Sequence, residues 1–208
     1  MPASVPHTTI DLLRHGEPDG GPRYRGHRDD PLTELGWRQM SAAIDGLGGS
    51  EAGWSQIVSS PLQRCADFAR QLAGQSGLPL ALEPDLREIH FGQWEGKDSA
   101  QLLREDPHRL QRYWADPQAV TPPGGESLAR FQQRVGRAWT RLLQRHSGGH
   151  LLLITHGGVM RVLLNTMLGI PPRAMFGIHI PYASLSRLRV EHHPDGDRSH
   201  WLLHRGAD

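Results

Sequence analysis

The stretch IDLLRHGEPDGG, residues 10–21, is apolar for a few positions and then stops on an arginine, a histidine and a glycine. A buried strand surfacing into a polar turn reads this way. So does a strand that ends by presenting an anion site with a nucleophile in it. A second apolar run, HLLLIT at 150–155, ends on His156, Gly157 and Gly158. The dipeptide alone decides little, since 13 histidines and 24 glycines among 208 residues give roughly 1.5 His-Gly pairs by chance. Position carries more weight. Both pairs directly follow apolar strands, and a continuously apolar one such as 150–155 is the pattern of a parallel strand covered on both faces.

On either side of these two runs the chain alternates strand and helix. The pattern predicts strands at Thr8–Leu13, Gln56–Ser59, Leu80–Leu82 and His150–Thr155, with closing strands at Leu185–Val190 and Trp201–His204. It predicts helices at Thr33–Leu47, from Pro61 to about Ala73, from Gly124-Gly125-Glu126-Ser127 to about Arg145, and at Val159–Leu168 before Gly169. Leu128, Phe131, Val135, Ala138 and Leu142 recur at helical spacing. This alternation implies an α/β fold, a three-layer α/β/α sandwich with a mostly parallel central sheet. Residues 91–123 fit it poorly and read as a partly helical lid insertion within a single domain spanning 1–208. Ligands in such folds sit at the carboxyl ends of strands.

Composition narrows the functional classes. A chain of 208 residues can bury one sizeable core. No apolar run reaches 18 residues, so no membrane span is expected, and the N-terminus has no secretory pattern. Cys65 is the sole cysteine and can form no internal disulfide. A cytoplasmic protein is therefore expected. With net charge +1, bulk electrostatics suggest no nucleic-acid partner. Only Lys97 among the 23 basic residues is lysine. Genomic base composition accounts for most of the arginines, and a few suit forked contact with phosphate.

A third strand end, VSSPLQRC, places Ser59, Ser60 and Pro61 after a strand and Arg64 on the next helix's first turn. That turn already favours anions through its free N–H groups and dipole. Beside Arg14 and two histidines, Arg64 becomes one of a pair of guanidinium forks suited to a transferring phosphoryl group. In LREIHFGQWEGK, Glu88 lies among apolar neighbours, and a carboxyl group there could hand a proton to a departing oxygen. An isolated loop glutamate is more commonly just solvated. The histidines at 192, 193, 200 and 204 read as a solvated C-terminal region rather than a metal site, and Cys65 reads as packed.

The ordered motifs RHGE, DDPLTELG, SSPLQRC, LREIHFGQWEG and THGG, from about Thr8 to Leu168, resemble the histidine phosphatase, or phosphoglycerate mutase-like, superfamily. The resemblance implies that His15 becomes phosphohistidine and that Arg14, Arg64 and His156, with Gly157, bind the phosphoryl oxygens. Glu88 would be the proton donor, and no metal or other cofactor is needed. Family members often carry an asparagine soon after RHGE. Here Pro18, Asp19, Gly20 and Gly21 follow, and the first asparagine is Asn165. Tyr24, Arg25 or backbone N–H groups near Gly26 would replace that contact.

The segment RYRGHRDDPLTELGWRQM and the chain length look most like the α-ribazole phosphatases of cobalamin assembly. Phe91, Trp94, Tyr113 and Trp114 could offer a stacking face for a flat base, or pack the lid. A broad phosphatase and a phosphoglycerate mutase are the enzymatic alternatives. A non-catalytic phosphate-binding module is a third, opposed by the joint presence of nucleophile and acid. The partner is a small phosphate ester, and oligomeric state is left open.

Overall fold

A computed structural model describes residues 5–196 and 198–203. Six strands form one sheet: β1 (His7–Arg14), β2 (Gln56–Ser59), β3 (Leu80–Leu82), β4 (His150–Thr155), β5 (Leu185–His192) and β6 (Arg198–Leu203). Their order is β3-β2-β4-β1-β5-β6. The first four are mutually parallel, while β5 runs antiparallel to both β1 and β6. The predicted mostly parallel sheet is therefore present. His204, predicted to end the last strand, lies outside the described residues.

Alternation along β1 builds the three layers. Ile10 and Leu12 face one side, packing with Leu151 and Leu153 against α5 (Leu128–Arg145) and α6 (Gly157–Leu168). Leu13 faces the other, where Leu152 and Ile154 pack with α1 (Glu34–Asp45) and α2 (Gln63–Ser76). Helix α1 starts where Thr33 caps the N–H of Gly36, and α5 where Ser127 caps that of Arg130. The predicted stripe on α5, Leu128, Phe131, Val135, Ala138 and Leu142, is buried. Each large side chain in it contributes about 1.5–3 kcal/mol by leaving water.

The insertion is partly helical, with α3 (Ser99–Glu105) and α4 (Pro107–Ala115) capped by Asp98 and Asp106. It closes around its own small core of Trp94, Leu102, Leu110, Tyr113 and Val120, with Tyr24 and Phe91 packed against it. Among the described residues, no helix is long and apolar enough to cross a membrane.

Parallel register brings distant residues to one edge. Arg14 pairs with Thr155, and Ser59 with Ile154. Each ladder runs one residue further, His15 N–H to Thr155 O and Ser60 N–H to Ile154 O, both at 3.0 Å. His15, Ser60 and His156 thus emerge side by side at the carboxyl ends of three adjacent strands.

Candidate active site

The turn after β1 is fixed by close packing. A Cβ on Gly16 would sit 2.1 Å from the carbonyl oxygen of Gly36, so only glycine lets this turn press against α1. His15, 5% exposed, points its Nδ1 at the Gly16 carbonyl oxygen, 2.7 Å away. With the proton on Nδ1 donated to that oxygen, Nε2 carries the free lone pair. The His156 ring lies 5.3 Å from His15, centroid to centroid, and its Nε2 is 2.7 Å from the Ser60 hydroxyl. Burial, then the Arg64 and Arg14 charges, hold the His15 pKa well below the ordinary imidazole range. His156 is lowered by burial, then by Arg64, His15 and Arg14. Both rings are neutral at pH 7.

Two guanidinium groups flank these rings, and carbonyl oxygens rather than carboxylates hold them. Arg14 donates from Nη1 to Ile180 O at 2.5 Å, and its Cζ lies 4.2 Å from the centre of the Tyr182 ring. Arg64 is fully buried and donates from Nη1 to Arg28 O at 2.9 Å and from Nη2 to Gly26 O at 2.8 Å. The Nε of each is buried without a hydrogen-bond partner. Buried donors are nearly always satisfied, so these two Nε groups are donors able to meet an anion.

Glu88 is fixed by two backbone donors. Ile89 N–H reaches Oε1 at 3.0 Å, and Gly158 N–H, at the start of α6, reaches Oε2 at 2.9 Å. A Cβ on Gly158 would lie 2.1 Å from Oε1, so this glycine makes room for the carboxyl group.

A cavity of about 550 Å³ opens over His15, and Arg14, Tyr24, Arg25, Glu88 and Phe91 are among its other walls. Arg64 and His156 lie outside this wall, at zero exposure. Arg25 is held by Asp30, 2.7 Å from its Nε, and by the Asp19 carbonyl oxygen, and the Tyr24 hydroxyl accepts from Trp114 Nε1 at 2.8 Å. Gly26 does not line the cavity. Its carbonyl serves Arg64, and the next N–H groups, of His27 and Arg28, are taken by the Glu95 carboxylate.

Of the four aromatics considered for stacking, only Phe91 faces the cavity. Trp94 and Tyr113 are buried in the lid core, and Trp114 is bound to Tyr24. Phe176 and Tyr182, not singled out from the sequence, are walls instead, as is Arg161. Cys65 is buried with its thiol pK pushed up by desolvation, so it stays protonated. His192 and His193 sit 2.7 Å from the hydroxyls of Thr8 and Ser199. Among the described residues no group of three or more His, Cys, Asp or Glu could hold a metal ion.

Neutral imidazoles and guanidiniums with no carboxylate in salt-bridge contact, at the carboxyl end of a parallel sheet, define a site for phosphoryl chemistry. The chain belongs to the histidine phosphatase superfamily (branch 1), whose family model matches residues 10–198. It is 36% identical over 200 residues to a Mycobacterium tuberculosis protein named as bifunctional, covering 95% of this chain and 54% of that one. The chain thus spans about half the length of that relative. The adenosylcobalamin/alpha-ribazole phosphatase of Escherichia coli is 31% identical over 183 residues, covering 86% of this chain and 88% of the relative. Among solved structures, a mycobacterial glucosyl-3-phosphoglycerate phosphatase superposes with a TM-score of 0.82 at 28% identity, covering 94% and 97% of the two chains.

Proposed function

We propose that this chain hydrolyses small phosphate monoesters through a phosphohistidine at His15. One observation carries the reading: a buried, neutral imidazole with its tautomer set by Gly16 lies among guanidiniums lacking carboxylate partners. In the first step the Nε2 lone pair attacks phosphorus and the ester P–O bond breaks. The leaving oxygen takes a proton from Glu88. In the second step water gives a proton to Glu88 and attacks phosphorus, the P–N bond breaks, and inorganic phosphate leaves. Arg14, Arg64 and His156 meet the charge on the equatorial oxygens throughout. The cavity is open to small molecules, and nothing in the chemistry calls for a metal or other cofactor.

The specific substrate we propose is α-ribazole 5′-phosphate. The relative from Escherichia coli supports it, and so do Phe91, Phe176 and Tyr182 as walls for a flat base. A phosphoglycerate-type ester is the second reading, supported by the mycobacterial structure. Phosphate release from α-ribazole 5′-phosphate, 3-phosphoglycerate and an aryl phosphate separates the possibilities. A preference of several hundredfold for the ribazole ester, abolished in His15→Ala, supports the specific reading. Equal weak rates on all three would keep the mechanism and remove that substrate, and retained phosphoryl group on a bound sugar acid would indicate a mutase.

A further inference from the structure

We propose that Arg161 is a third phosphoryl-binding guanidinium, acting with Arg14 across the first turn of α6. The proposal rests on reading the site as one for phosphoryl transfer. Helical side chains lean toward the helix N-terminus, so the fifth residue of α6 covers its first. A Cβ placed on Gly157 would be 3.4 Å from Arg161 Nη1 and 3.3 Å from Arg14 Nε. The two guanidinium groups therefore converge over Gly157 with a gap about one methyl group wide, which the absence of a side chain there leaves open.

One loop sets both forks. Ile178 O accepts from Arg161 Nε at 3.0 Å, and Ile180 O accepts from Arg14 Nη1 at 2.5 Å. Tyr182, two residues on, lies under the Arg14 guanidinium. Anchoring Arg161 through Nε leaves its two Nη groups for another acceptor, and both arginines are cavity walls. Like charges held this close repel; Glu88, held by Ile89 and Gly158, offsets part of that repulsion at Arg14, and an anion between the forks would offset it for both. A phosphate monoester carries two charges and several acceptor oxygens, which suits planar forks approaching from different sides. Charge spreading over the equatorial oxygens in the transition state would use the third donor further.

The test compares wild type with Arg161→Gln, Arg161→Lys and Gly157→Ala. The last fills the gap with a methyl group and removes no charge. Activity on glycerol 3-phosphate, 3-phosphoglycerate and an aryl phosphate is measured beside binding of orthovanadate and inorganic phosphate. Arg161→Gln is expected to lower kcat/KM about 10- to 100-fold on all three esters alike and to weaken vanadate by a similar factor. Arg161→Lys should recover part of the loss, and Gly157→Ala should weaken both anions. A loss confined to 3-phosphoglycerate would overturn the proposal, since Arg161 would then read a carboxylate on the leaving group. Unchanged vanadate and phosphate binding with a lowered melting temperature would also overturn it, leaving only a brace for the loop. Failure of the phosphatase reading itself looks different: His15→Ala would keep wild-type turnover.

Discussion

Asp11 and Arg14 lie three residues apart on one strand and carry buried charge in opposite ways. Asp11, 1% exposed, has a full set of partners: Arg187 donates to both carboxylate oxygens at 2.6 and 2.8 Å, Trp54 Nε1 at 2.8 Å, and His150 Nε2 lies at 2.9 Å. Burial works against its charge, yet these donors win and hold its pKa far below the ordinary value of 3.8. Arg14 keeps an unbonded buried Nε and has Arg64 and Arg161 as like-charged neighbours. A satisfied buried charge is a structural device, whereas a buried guanidinium that keeps an unbonded donor is suited to meeting an anionic ligand. Orthovanadate should accordingly raise the melting temperature of wild type, since binding only the folded state stabilises it.

The difference can be broken at either end. His15→Ala should lower turnover on every ester by about 10⁴-fold or more, because the covalent route disappears while the fold persists. Asp11→Asn should do the reverse. It leaves Arg187, which is partly exposed, without its charge partner and should cost about 1–3 kcal/mol of stability, with kcat retained in the folded fraction. Urea melts beside kinetics of both variants check the contrast, and a stable Asp11→Asn enzyme with lost turnover would erase it. Arg64→Gln should reduce kcat about 100- to 1,000-fold. Its vanadate-induced rise in melting temperature should shrink, whereas that of Asp11→Asn should be intact.

A finer probe is Gly158→Ala, whose methyl group would displace the Glu88 carboxyl group. Loss of a positioned proton donor typically costs about 10²-fold. The loss should be large for alkyl esters and small for an aryl ester, whose leaving oxygen needs less help. Equal losses on both would remove Glu88 from the donor role.

The smallest effect expected is in the pH dependence of stability. The ordinary value for His15 and His156 is 6.5, and both are depressed in the folded chain. Above that pH neither state is charged there. Below it the unfolded chain binds protons that the native chain refuses, so stability falls as pH drops from 7 toward 5. For Asp11 the ionised native form loses its advantage only as pH falls below about 4, adding a later decline. Denaturant midpoints between pH 8 and 3 should show both phases, and replacing His15 with Ala should weaken the first.

The strand ends were legible because each motif is local: an apolar run, then a polar residue at a fixed offset. Strands β2, β3 and β4 have the bounds read from the sequence. Helix α6 begins at Gly157 rather than Val159, since paired glycines read as a turn although here they supply the N–H and the space that Glu88 uses. Arg161 was invisible for a related reason, as one arginine on an apolar helix reads as a solvated residue. Tyr182 and the Ile180 carbonyl reach Arg14 across more than 160 positions, and no local pattern announces that. Trp94 and Tyr113 show the converse: their composition suits a stacking wall, but the lid's need for a core claimed them.

The most direct measurement is to quench the reaction with a ³²P-labelled ester during turnover and locate the label on the protein. A phosphohistidine route yields an acid-labile, alkali-stable phosphoenzyme whose label maps to His15 and is absent from His15→Ala. Label on another residue, or an unlabelled protein through a single turnover that releases phosphate, would contradict it.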